Sequence, residues 1–247
     1  MGVATVAIEL PGPVVDFLSV IGINWPNVDE DKVREFAGHV RDFASSLDST
    51  HQAATTTIQN MQEHYQGGSY DQLVAAWSQM SSSHMQDLQD GSKVVAEALD
   101  VAADAIVGLK TAAIAELIVM AATFVADQAA AVLTFGIAEA AEAAIIAGAR
   151  ELAKVLEQEL EQYIIGQLIE AAITPLESVV EKAVNGLVFN AVSDIVGGGS
   201  SAAVGASFGI EPDQLAAHAQ ELQGHADTVA GHAQDFASKM SSLNFNG

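Results

Sequence analysis

Cysteine is absent from all 247 residues, so no disulfide, thiolate metal site or thiol nucleophile exists in this chain. Proline occurs five times and aromatic side chains make up only 6% of residues, leaving few helix breakers and few bulky core anchors. Alternating runs rich in β-branched residues and tyrosine are largely missing, so strands have little to form from. Basic residues are scarce as well: nine Lys and Arg stand against 32 Asp and Glu, a formal net charge of −23. A surface of that sign repels phosphate backbones and anionic lipid headgroups. That sets nucleic acid aside as a partner and leaves solubility, or a basic protein, as the use of the charge. The first 25 residues hold no Lys or Arg, and no small-residue cleavage site follows an apolar run there. A secretory signal peptide is therefore not expected.

What is present is helix-forming. Half the residues are hydrophobic, and alanine, the best helix former, supplies much of that half. The expected fold is all-α: an elongated helical bundle built on a long antiparallel helical hairpin, plus a linker-connected C-terminal helix. An apolar leader with Pro11 and Pro13 ends at Trp25-Pro26, since the residue before proline is pushed out of the helical region. Asn27 is placed as an N-cap, with Glu30 completing a capping box. The first long helix then runs from about Val28 to Tyr65, on the order of 55 Å. Its stripe of Val33, Phe36, Val40, Phe43, Leu47, Ala54, Ile58, Met61 and Tyr65 alternates by three and four, with one stutter between Thr50 and Thr57. Gly67-Gly68 breaks the helix, and Ser69 with Gln72 offers a second capping box. The returning helix carries Leu73, Trp77, Met80, Leu88, Val95, Ala98, Ala102 and Ile106. Trp77 reads as core, and Trp25 as a staple of the leader onto the hairpin. Tyr65, Gly67, Gly68, Leu73 and Trp77 form the hairpin corner, where a partner could cover the partly buried tyrosine.

Leu117 to Ala138 holds a single charge, Asp127, and its apolar positions do not keep to one face. Such a helix is the centre of a bundle or a membrane-inserting segment, the latter with Phe124, Asp127 and Phe135 as its marked residues. The bundle centre is the preferred reading, because alanine dominates and Glu116, Glu139 and Glu142 interrupt. Ile145 to Ile173 is amphipathic again, and Thr174-Pro175-Leu176-Glu177 reads as a further helix start. Gly197 to Gly209 reads as a linker of small residues. After it, Leu215, Leu222, Val229, Phe236 and Met240 line the seam of a last amphipathic helix, with alanines between them. The expected segments are thus a leader over 1–27, a hairpin and alanine-rich bundle over 28–196, a linker over 197–209 and a C-terminal helix over 210–247.

His218, His225 and His232 recur every seven residues beside that seam. Residues seven apart on a helix are about 10 Å apart and cannot share one ion, so they are no metal site. They read either as pH-sensing flank residues or as a polar position repeated by internal heptad similarity. No His-Glu-x-x-His, Walker loop, Gly-x-Ser-x-Gly or calcium loop is found, so neither a catalytic residue nor a cofactor is expected.

Two stretches carry a resemblance. Leu10-Pro11, then Gly22-Ile23-Asn24-Trp25-Pro26-Asn27-Val28-Asp29-Glu30-Asp31 and Arg34-x-Phe36-Ala37 ahead of a long helix, resemble the N-terminal domain of actinobacterial polymorphic toxins. That family carries the outer-membrane channel protein/necrotizing toxin label. The hairpin with Tyr65-Gln66-Gly67 at its corner resembles the WXG-type fold of type VII secretion substrates, with tyrosine standing in for tryptophan. The resemblance covers roughly residues 8 to 195 and implies a non-enzymatic helical export or delivery module, or a secreted effector. The implied partners are another WXG-like helical protein or a second copy, and the type VII machinery. The implied location is outside the cell or on its surface without a cleaved signal peptide, or otherwise the cytoplasm. Such substrates present Tyr-x-x-x-Asp/Glu, whereas Tyr65, Tyr70 and Tyr163 are followed four residues on by Ser69, Val74 and Gln167. The resemblance then implies that a partner supplies the signal. No toxin-like segment occurs within the 247 residues, which suits a solo secreted protein or the delivery part of a larger one. The alternatives are an α-helical pore former using residues 117–138 and a self-assembling structural protein joined through the C-terminal helix.

Overall fold

In the computed structural model, residues 8–25, 28–81, 85–134, 138–163 and 209–243 are described. The all-α expectation is borne out. The described helices are α1 (Gly12–Ile21), α2 (Glu30–Asn60), α3 (Gly68–Met80), α4 (Gln86–Thr134), α5 (Ala138–Tyr163) and α6 (Pro212–Ser242). The described residues also form a 3-10 turn at Met61–Glu63 and a two-residue antiparallel pair, β1 (Tyr65–Gln66) with β2 (Gly209–Ile210). The chain divides into two compact units. The first joins Met1–Phe36, Glu97–Ala171 and Leu243–Gly247; the second joins Ala37–Ala96 and Ala172–Ser242.

The first unit is built on the leader. Pro13 suits the first turn of α1, whose missing N–H is one of the groups a helix start leaves unpaired. Gly22 ends α1 in the left-handed conformation (φ 68°, ψ 37°), and the Ile23 amide donates back to the Leu18 carbonyl at 3.0 Å. The apolar face of α1 (Val14, Phe17, Leu18, Ile21) packs on Leu117, Ala121 and Phe124 of α4 and Ala149 of α5, with Trp25 half-buried against the cluster. Phe17 and Phe124 meet with ring centroids 5.2 Å apart. Trp25 thus lies against a cluster drawn from α1, α4 and α5.

Helix α2 starts later than Asn27 would place it. Asp29 is the cap: its Oδ1 accepts the amides of Asp31 at 2.9 Å and Lys32 at 3.1 Å. Glu30 is not part of a capping box, because its carboxylate turns inward to Lys110 of α4. Asp29→Ala is expected to lower stability by about 1 kcal/mol, the usual cost of a lost N-cap, measured by denaturant titration. The box proposed at Ser69 does not form either; Gly67 precedes α3 and offers no side-chain cap.

In the second unit α2 runs antiparallel to α3 and the start of α4. The Tyr70 hydroxyl donates to the Ile58 carbonyl at 3.1 Å, the Trp77 indole donates to Thr55 Oγ1 at 2.8 Å, and Leu47 packs with Met85 and Leu88. Chain direction therefore reverses across the corner, as the glycine pair implies. The expected stripe is largely buried, with Val40, Leu47, Ala54, Ile58 and Met61 inside this unit and Val33 inside the first. The helix stops at Asn60 rather than Tyr65.

One expectation is corrected outright. Residues 117–128 of α4 are not buried on all sides: Ile118 is 46%, Val119 65% and Val125 66% exposed, while Leu117, Ala121 and Phe124 face the core. The predicted helix from Thr174 and most of the predicted linker lie outside the described residues.

Candidate functional site

The corner is shaped by backbone pairing with a remote segment. Tyr65 pairs with Ile210 and Gln66 with Gly209, and the Glu211 amide donates to the His64 carbonyl at 3.2 Å. Extension of residues 65 and 66 is what ends the helical run. Gly67 then sits at φ 153°, ψ 170°, a region essentially reserved for glycine, and its carbonyl accepts the amides of Tyr70 and Asp71. Gly67→Ala is expected to cost about 1–3 kcal/mol, read as a lower unfolding midpoint, whereas exposed, helical Gly68 should tolerate alanine. Tyr65 is half-buried and meets Tyr70 edge-on at 6.1 Å.

Trp77 is engaged by its own chain. Its ring stacks on His51 at 4.7 Å and 13°, and the His51 Nε2 lies 2.6 Å from the Ser81 hydroxyl. Burial lowers the His51 pKa, offset in part by the nearby Asp48 carboxylate. Among the described residues its Nδ1 is buried without a partner. Leu73 is half-buried beside this clamp, and Val74 is 39% exposed.

Helix α6 folds back along α2, again antiparallel. Thr50 lies 3.1 Å from His232, Thr57 lies 3.2 Å from His225, and the His64 ring faces His218 at 5.9 Å. His64 also meets the Glu211 carboxylate at 3.0 Å. The histidine repeat thus matches a polar repeat on the opposite strand of the seam, one that the stutter between Thr50 and Thr57 concealed. Leu215, Leu222, Val229, Phe236 and Met240 are all half-buried; Phe236 stacks on Phe43 at 4.8 Å, and Val229 packs beside Leu47, Met85 and Leu88. No residue of α6 is fully buried.

Among the described residues no group of three His, Asp or Glu could hold a metal ion. Phe124 is buried in the first unit's core, Asp127 is half-buried, and Phe135 lies outside the described residues. Sequence reasoning missed the Glu30–Lys110 pair, the Asp29 cap and the His51 clamp. The only advance sign of the clamp was polar residues standing where the stripe stutters.

A family model described as WXG100 like domain matches residues 8–152, more than half of the chain. The chain belongs to the WXG100-like family. No curated protein and no solved structure matches it. WXG100-like proteins are helical, associated with type VII secretion, typically non-enzymatic, and typically paired with other helical proteins. In this WXG100-like domain the match takes in the leader, α1 to α4 and the first half of α5, and stops short of α6.

Proposed function

We propose that this chain is a non-enzymatic export or delivery module of a type VII secretion system that binds a second helical protein along α4. The observation that carries the reading is the outer face of α4 in the first unit. Val101, Gly108, Ala112, Ala115, Val119 and Ala122 keep one heptad phase and are all exposed, with Ile118 and Val125 beside them. A long helix normally hides its apolar positions, and an exposed apolar strip marks an interaction surface. Small residues let a partner helix approach closely. The corner residues Tyr65, Gly67, Gly68, Leu73 and Trp77 hold the hairpin end in the shape that a partner or the secretion machinery meets.

Two experiments test this. In cells with a working type VII ATPase the protein should reach the medium, and in cells lacking it the protein should be retained. Equal amounts in both media, with a cytosolic control retained, would end the secretion reading. Ala115→Glu with Val119→Glu should abolish co-purification of the helical partner while changing stability by no more than about 0.5 kcal/mol, as exposed sites allow.

The same face supports a second reading. Residues Gln86–Gln128 include an 18-residue window with mean hydropathy 1.9 of which only 33% is buried, long and apolar enough to cross a bilayer. If insertion extends through residues 117–138 it would carry Asp127 into lipid, so dye release from neutral liposomes should rise at low pH. Liposomes that stay sealed at every pH would remove the pore reading.

A further inference from the structure

We propose that α6 is an exchangeable element: two copies of this chain trade their C-terminal helices, each seating on the α2 face of the other. The seam already accepts this helix, and a second copy presents an identical one.

Three observations carry the exchange. First, the closed contact has no fully enclosed anchor: every seam residue of α6 keeps an edge in water and none is fully buried, so no single deep side chain holds the helix in place. Second, its specificity comes from repeated pairs rather than from one deep anchor. Stepping by seven from Thr50 to Thr57 to His64 steps the partner back from His232 to His225 to His218. Both threonine hydroxyls donate to backbone carbonyls four residues back, so their oxygens are left to accept from the histidine Nε2. Each rung is a local pair that fixes direction and register, and none depends on which chain supplies the histidine. Third, the backbone attachment is two residues of antiparallel pairing plus the Glu211 amide, which another copy reproduces in full. The segment just ahead, Gly197 to Gly209, has no residue bulkier than valine except Phe208. Exchange of an identical element conserves every seam contact and opposes only the entropy of association, which makes it a low-cost route to a dimer.

The chain has no cysteine, so introduced thiols report cleanly. Ser46 of α2 and Asp235 of α6 line the same small pocket beside His39 and His232. One copy carries Ser46→Cys, and a size-tagged copy carries Asp235→Cys. After mixing, a short bismaleimide should yield a covalent heterodimer. Its yield should rise about tenfold across a tenfold increase in protein concentration, as mass action requires at low occupancy. A single chain bearing both cysteines serves as reference and should cross-link within itself at low concentration. Internal cross-linking there, with no heterodimer from the mixed single variants at any concentration, would overturn exchange. Failure of both would overturn the seam and exchange with it. Exchange and export are read in separate assays, so either can fail alone.

Discussion

Lys110→Ala is expected to destabilise the protein by about 3–5 kcal/mol, the usual result of stripping one partner from a buried ion pair. The Lys110 Nζ lies 2.7 Å from Glu30 Oε2 and 3.0 Å from the Val28 carbonyl, and the two side chains are 1% and 2% exposed. The other Glu30 oxygen accepts the Ile8 amide. Removing the ammonium therefore leaves an enclosed carboxylate held only by backbone amides, those of Ile8 and of Glu30 itself. The double variant Lys110→Met, Glu30→Leu should recover most of the loss, because a well-packed apolar pair removes both desolvation terms. Urea midpoints for the two single variants and the double variant measure this directly. A single variant within about 0.5 kcal/mol of the parent would mean that the pair is solvated.

The pair also sets an acid limit. Burial pushes the Glu30 carboxyl up, but the hydrogen bonds from Lys110 and the Ile8 amide outweigh it and hold the group below the ordinary carboxylate range. A carboxyl depressed in the folded state contributes stability above its unfolded pKa and loses it as pH falls through the folded value. The parent should accordingly keep this contribution down to pH values at which ordinary carboxylates protonate. In Lys110→Ala burial dominates, Glu30 is pushed up, and the same group costs stability as pH rises through its raised value.

Trp77→Ala is the second large effect, expected at about 3–5 kcal/mol for loss of a packed aromatic. Trp77→Phe can keep a ring against His51. It gives up the indole bond to Thr55, about 1 kcal/mol, together with the packing of the lost second ring, and should fall short of the alanine loss. Because burial lowers the His51 pKa, the stability it confers is present above the ordinary histidine range and is lost as pH falls toward the folded value. A protonated imidazole quenches a stacked indole. Trp77 emission should thus drop on acidification at a pH below that of a free histidine, in a Trp25→Phe background that removes the other tryptophan. A quench centred in the ordinary histidine range would show that the ring is open to water.

Helix existence was legible along this chain, and helix limits were not. The stripe from Val33 to Met61 and the glycine pair after it identified α2 and the reversal, since periodicity and backbone freedom are local properties. Termination at Asn60 depends on pairing with Gly209 and Ile210, and nothing near residue 60 announces it. The shift from Asn27 to Asp29 has the same origin: Glu30 had a better partner in Lys110, 80 residues away. Around the corner, the positions of Tyr65, Gly67 and Trp77 followed from pattern, but the His51 stack did not, because a buried histidine looks like any polar residue in a stutter. Apolar runs are ambiguous in another sense. Composition marks the α4 face as greasy and cannot tell a covered face from a waiting one.

The corner and its seam close over long stretches of chain: His64 meets Glu211 across 147 residues, and Thr50 meets His232 across 182. At ribosomal speeds of about 5–20 residues per second, the strand and helix that complete the second unit arrive on the order of ten seconds after the hairpin has been made. Loop closure over such distances is entropically costly and slows the final step further. Throughout that interval the α2 face stands bare, its threonines and Phe43 uncovered. Any helix present early enough, from a neighbour on the same messenger or from a chaperone, competes for that face on equal terms with the chain's own late-arriving end. Assembly order, set by where translation happens, then decides which helix the face keeps.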